Sequence, residues 1–164
     1  MTDKFTDDFT EQYEVVDNKA KLQALFATGK NTELLEFVQD VPAVEVCEYL
    51  EDKDESEIIE FLNFLTLEDR GRIFSELSLD DQMKLFHKYD KLSFAYIFEN
   101  MSSDIRADLY QELDKSEQVE LLPFLEKNVR EDVIVLSAYS PDTAGGIMST
   151  DFATVVIHMS ASQA

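Results

Sequence analysis

Too little glycine and proline is present for an all-β chain. Four Gly and three Pro among 164 residues cannot supply the many tight turns of a sandwich or barrel. Cationic charge is scarce too: 14 Lys and Arg stand against 35 Asp and Glu, a formal net charge of −21. That excludes binding to a nucleic-acid backbone as a main role, because phosphate contacts need stripes of Lys and Arg. It equally disfavours docking on an anionic membrane surface. A surface this negative attracts cations or a basic partner. No run of 18 apolar residues occurs, so no segment is expected to cross a bilayer as a helix. Met1-Thr2-Asp3-Lys4 leads straight into acidic residues, which is not how a signal peptide opens. The single cysteine, Cys47, permits no internal disulfide. It lies on the apolar side of a helical pattern in Val44-Glu45-Val46-Cys47-Glu48-Tyr49-Leu50, where a small core hydrophobe is expected.

What the chain does have is apolar residues, 45% of the total, enough for a folded core. They recur with a period of twelve. Positions 54, 66, 78, 90, 102 and 114 read Asp, Thr, Ser, Asp, Ser, Asp, all preferred helix N-caps. Three residues on stand Glu57, Asp69, Asp81 and Glu117. The two glutamates suit a capping box, and the two aspartates suit the positive end of the helix dipole. The eighth position of each unit reads Phe61, Ile73, Leu85, Ile97, Leu109, Leu121. The ninth reads Leu62, Phe74, Phe86, Phe98, Tyr110, Leu122, and the twelfth Leu65, Leu77, Tyr89, Met101, Leu113, Leu125. Spacings of i, i+1 and i+4 share one helical face, and no strand would bury all three. An earlier unit fits at Val46, Cys47 and Leu50 if Glu51-Asp52-Lys53 forms a longer loop. Twelve residues leave about nine for helix, roughly 14 Å, and about three for turn. Helices so short are marginal alone and need neighbours. The predicted fold is therefore all-α, a superhelix of short helices stabilised by nearest-neighbour contacts, with six helices starting near those caps.

The ends depart from the repeat. Residues 1–18 are predicted to be a flexible acidic N-terminus. Asn18 is read as the cap of a helix through Leu25-Phe26 that Gly29 stops, and Asn31 or Thr32 as the start of the next. Val129, Val133 and Leu136 support a last helix to about Tyr139, which closes a repeat domain of residues 19–139. Gly145-Gly146 reads as a hinge or a close turn, and Ala153-Thr154-Val155-Val156-Ile157 as a short β-prone tail.

No catalytic set can be assembled. His87 flanks the core side of its helix as a surface residue, His158 lies in the tail, and no Walker loop, nucleophile elbow or zinc motif occurs. The chain is therefore not expected to be an enzyme. Among the carboxylates, Asp104 and Asp108 are the most pointed, because i and i+4 place them on one side of a helix about 6 Å apart. One reading is a first-turn acid that the dipole welcomes, with Arg106 nearby. The other is a site for a hard cation such as Mg²⁺, which keeps most of its waters and uses one or two carboxylates.

Ala138-Tyr139-Ser140-Pro141-Asp142-Thr143-Ala144-Gly145-Gly146-Ile147-Met148-Ser149-Thr150, following capped helical units, resembles the intracellular N domain of MgtE-type magnesium transporters. The specific part is Tyr-x-x-(Asp/Glu)-x-Ala-Gly-Gly-hydrophobic-Met-(Ser/Thr). Asp151-Phe152-Ala153-Thr154-Val155 through Met159-Ser160-Ala161 is similar to the opening strand and helix start of a CBS domain, so residues 140–164 are expected to be a linker and the truncated start of that domain. The resemblance implies a right-handed superhelix, followed in the full-length protein by paired CBS domains and a dimeric transmembrane pore. It implies a cytoplasmic domain of a bacterial plasma-membrane protein, with Mg²⁺ as ligand and the CBS domains and pore as partners. Magnesium between the domains would hold the pore shut. The family's early-helix acids, four residues apart, match Asp104 and Asp108. Another family acid aligns with Arg72, a departure that leaves Glu76 as a candidate to compensate. The competing reading is a helical-repeat interaction module of the flagellar motor switch type.

Overall fold

Every expected cap is followed by a helix. The computed structural model describes residues 17–140, 142–145 and 148, and among these residues the secondary structure is wholly helical. The helices are α1 (Asn18–Ala27), α2 (Asn31–Asp40), α3 (Ala43–Leu50), α4 (Glu55–Phe64), α5 (Leu67–Glu76), α6 (Leu79–Phe86), α7 (Lys91–Glu99), α8 (Ser103–Glu112), α9 (Lys115–Leu121) and α10 (Lys127–Leu136). The sixth unit is less regular than the repeat predicts. Pro123 ends α9 early, and a 3₁₀ turn at Leu122–Phe124 finishes it. Residues 1–16 of the N-terminal segment, the β-prone tail and His158 lie outside the described residues, while Asp17 and Asn18, read as the end of that segment, instead cap and begin α1.

The first α-helix corrects the sequence reading by one position. Asp17, not Asn18, is the cap, its carboxylate accepting from Ala20 N at 3.0 Å, while Asn18 Nδ2 donates to Glu45 on α3. Gly29 stops the helix as expected, at φ +66.

In the repeat, Asp54 and Asp114 form complete capping boxes with Glu57 and Glu117. The shorter aspartates take another route: Thr66 and Ser78 each cap the helix while donating their hydroxyl to Asp69 and Asp81 at 2.7 Å. Ser102 is the exception. Its side chain makes no cap bond, and its backbone N–H donates to Ser75 Oγ on α5 at 3.0 Å.

Helices pack on their second neighbours. α1, α3, α5 and α7 stack closely in one row, and α8 packs on α10 in the other. The eighth-position residues are all buried, as are the ninth and twelfth apart from partly buried Leu77, Tyr89 and Leu122. Phe94 is the aromatic hub, with ring centroids 4.9 Å from Phe86, 5.6 Å from Phe74 and 6.0 Å from Phe98. Edge-on and tilted contacts of this kind add to the burial of each ring. Cys47 behaves as a core residue: burial, with help from Glu76 and Glu51, pushes its thiol up to about 12, and it donates to Ile73 O.

A second repeating device closes the other end of the helices, and the apolar pattern did not show it. The fifth position of the unit reads Ile58, Arg70, Gln82, Phe94, Arg106, Gln118, and Arg130 continues it. Arg70 Nη2 donates to Asn63 O and Leu65 O at 3.2 Å, and Gln82 Nε2 to Phe74 O and Leu77 O at 3.1 and 2.9 Å. Arg106 Nη1 donates to Glu99 O and Met101 O, Gln118 Nε2 to Tyr110 O and Leu113 O, and Arg130 Nη2 to Leu125 O. Each reaches back to carbonyls at or just past the end of the preceding helix, where intrahelical donors run out. Ile58 and Phe94 follow the two longer connections, residues 51–54 and 87–90. There the backbone N–H groups of Glu51 and Lys53, and of His87, Lys88 and Tyr89, close the preceding helix themselves. The fifth position is then free to be apolar.

Replacing Gln118 by Leu leaves two carbonyls in the interior without their donor and should cost about 1–3 kcal/mol in chemical denaturation. Gln118→Arg should retain most of that stability, since Arg does the same work at 70 and 106. Equal losses for both variants would show that volume, not hydrogen bonding, fixes the position. Gly71→Ala tests the row packing, because an added Cβ would lie 2.3 Å from the backbone of Asn100 at the end of α7. Backbone cannot yield as a side-chain tip can, so a loss of about 1–3 kcal/mol is expected. An unchanged melting temperature would contradict so close an approach.

Candidate functional site

Three positions of the unit, the third, seventh and eleventh, form an outer row on each helix because they are spaced by four. In the α5 unit the row reads Glu68, Arg72, Glu76, in the α6 unit Asp80, Lys84 and, past the helix end, Lys88, and in the α7 unit Leu92, Tyr96 and, past the helix end, Asn100. On α8 it reads Asp104, Asp108, Glu112. Only α8, of these four, carries acids alone.

The structure brings Asp104 and Asp108 together as predicted, one turn apart on α8. Both are partly buried, next in sequence to the buried Ser103, Arg106 and Ala107. Asp108's carboxyl is held above the usual range, first by this burial and then by the negative charges of Asp104 and Glu112. The contrast on α6 is direct. There Lys84 Nζ lies 2.6 Å from Asp81, and the hydrogen bonds from Lys84 and Ser78 lower the Asp81 carboxyl. Arg106, the nearby cation of the sequence reading, points inward and donates to the α7 carbonyls.

The donor set of the α8 row is therefore hard oxygen, with the Asp104 carboxylate one turn from Asp108 and adding to the rise of its pKa. That chemistry suits a hydrated divalent cation. Among the described residues no group of three or more His, Cys, Asp or Glu side chains is arranged to hold a metal ion. A cation on the row would thus rely on water or on groups from elsewhere to complete its shell.

The remaining sequence candidates fall outside this row. Arg72 is engaged with the carbonyls ending α2 and with Asp69, and Glu76 is exposed at the end of α5. His87 is exposed, as expected, and its Nε2 lies 2.8 Å from Glu117 Oε1, linking the end of α6 to the α9 capping box. Of the glycine pair, Gly145 makes a close turn: an added Cβ would fall 2.5 Å from the Tyr139 ring. Gln111 of α8 donates to Tyr139 O at 3.1 Å and so ties this turn to the helix that carries Asp104 and Asp108. The Tyr-to-Gly spacing of the motif is thus a packing requirement. Among the described residues no helix is long and apolar enough to cross a membrane.

Comparison with known proteins agrees with this architecture. Solved structures similar to the chain include the soluble part of a magnesium transporter, with a TM-score of 0.73 at 22% identity over 85% of this chain and 56% of that one. Another is the cytosolic domain of the Mg²⁺ channel MgtE in complex with ATP, with a TM-score of 0.68 at 22% identity over 80% of this chain and 54% of that one. The chain spans about half the length of these two structures. At such identity the likeness establishes the fold. No curated protein matches by sequence. The family model of the MgtE intracellular N domain matches residues 41–142, from the end of α2 through α10 to the turn against Tyr139, and the chain belongs to that family.

Proposed function

We propose that this chain is a magnesium-sensing regulatory domain on the cytoplasmic side of a bacterial magnesium transporter, acting through Asp104 and Asp108. The observation that carries the reading is the α8 row: two partly buried aspartates and Glu112 with no basic residue among them, where burial first and repulsion from Asp104 and Glu112 second raise Asp108. Membership of the MgtE N-domain family supplies the context. It leaves the flagellar motor switch alternative without support.

In this reading the partners are the CBS domains and transmembrane pore of the same full-length chain, assembled as a homodimer. Acidic surfaces on separate domains repel one another, so the apart arrangement prevails when cations are few. A divalent ion shared between Asp104, Asp108 and groups on a CBS domain binds well only when the domains are together. It shifts the population by that difference in affinity. Linkage requires closure to raise magnesium affinity by the same factor. The N domain's part is to hold two carboxylates in place on a rigid helix end. Magnesium's charge supplies the attraction that closes the domains and the pore with them. On the isolated chain a two-carboxylate site should bind Mg²⁺ weakly, in the millimolar class, and added salt should weaken it further.

Protease protection of the full-length transporter across a magnesium titration tests the assignment. Asp104→Ala with Asp108→Ala should move the midpoint to higher magnesium by on the order of tenfold, a typical inter-site coupling. Equal midpoints would refute these aspartates. Stability of the metal-free chain gives a second test. Asp108's folded pKa is raised, so the folded state binds the proton more tightly, and stability falls as pH rises from the unfolded value through the folded one. Asp108→Asn should therefore stabilise the metal-free chain at neutral pH by a few tenths of a kcal/mol, the size of a like-charge pair one turn apart. The gain should vanish at about pH 3, where an aspartate is mostly protonated. Destabilisation at pH 7 would mean that the carboxylate has a favourable partner.

A further inference from the structure

We propose that Arg72 is a tethered cation: its guanidinium fills the place a free cation would otherwise take at an oxygen-lined joint between α2 and α5. Arg72 Nη2 donates to Val38 O at 2.8 Å and to Asp69 Oδ1 at 3.1 Å, and Nη1 donates to Val41 O at 3.3 Å. The two carbonyls close α2, at the negative end of its dipole. Val41 N–H closes on Phe37 O, but Pro42 follows and has no N–H to offer to the next carbonyl, Val38 O. Asp69 is only 5% exposed and already accepts from the Thr66 hydroxyl. A nearly buried carboxylate, facing a helix C-terminus, needs a positive charge to be tolerated there.

The three acceptors are all hard oxygens, the set that divalent cations such as Mg²⁺ and Ca²⁺ prefer. Arg72 satisfies them with a charge that cannot dissociate or titrate. The joint between α2 and α5 consequently holds at any divalent concentration. This differs from the α8 row, where no basic residue is built in. The inference concerns α2, α5 and Asp69 alone and does not depend on the function proposed for Asp104 and Asp108.

Thermal unfolding of the chain tests it, in MgCl₂ or CaCl₂ against NaCl of equal ionic strength. Arg72→Met keeps an unbranched apolar stem and removes the guanidinium with its charge. Its melting temperature should fall by about 5 °C or more, as expected for a largely buried carboxylate left without its partner. Millimolar divalent chloride should recover most of that loss, well beyond any gain in the wild type. The α8 row contributes equally to both proteins, so their difference reads Arg72 alone. Arg72→Lys keeps a cation and should show no extra divalent response, and Asp69→Asn added to Arg72→Met should abolish the recovery. If Arg72→Met is unfolded in NaCl, folding induced by the divalent salt is the same expected result. No loss, loss without divalent recovery, or recovery that survives Asp69→Asn would each overturn the proposal.

Discussion

Unsatisfied backbone at helix ends is the constraint on which the rest of this structure depends. A helix of seven to ten residues is nearly all ends, because four N–H groups and four carbonyls at its two termini lack partners within it. Ten such helices would be untenable in a packed chain if those groups went unmet. The solution is periodic at both termini. A Ser, Thr or Asp side chain serves most starts in the repeat. An Arg or Gln one turn into the next helix serves the end before it, wherever the connection is too short to close on itself.

That arrangement governs where the charge goes. Basic residues are few in this chain, and several sit with their donors on backbone carbonyls: Arg70, Arg72, Arg106 and Arg130 all face helix ends. Their donors are thereby committed to backbone rather than to the acids of the outer surface. Pairs such as Lys84 with Asp81 and Lys19 with Asp52 offset part of that negative charge, but exposed pairs of this kind contribute little to stability. The outer row of α8 is left uniformly acidic.

The same logic joins stability to the proposed function. Rigid helix ends hold Asp104 and Asp108 at fixed spacing, so their repulsion is not relieved by movement and remains available to a cation. Gln111 and the Tyr139–Gly145 turn anchor the chain's exit to that same helix. A domain joined beyond the turn therefore starts from a defined place relative to the acidic row.

The sequence by itself determined the helical class, the period and the six starts at 54, 66, 78, 90, 102 and 114, because apolar spacing and N-caps are local properties. It also identified Asp104 and Asp108 as a pair on one helix face. Asp17 displaced Asn18 because both are good caps and the choice turned on Asn18 reaching Glu45 on α3, a contact 27 residues away. The fifth-position residues looked like ordinary polar and apolar side chains, since their acceptors lie on the preceding helix and are aimed by the turn between. Arg72 read as a lost acid, and only its reach from α5 to the carbonyls ending α2 showed what its charge satisfies. Gly71 likewise gave no local signal, its necessity set by α7. Which acids stay uncompensated was decided by tertiary structure alone, because that depends on where the cations are spent across helices distant in sequence.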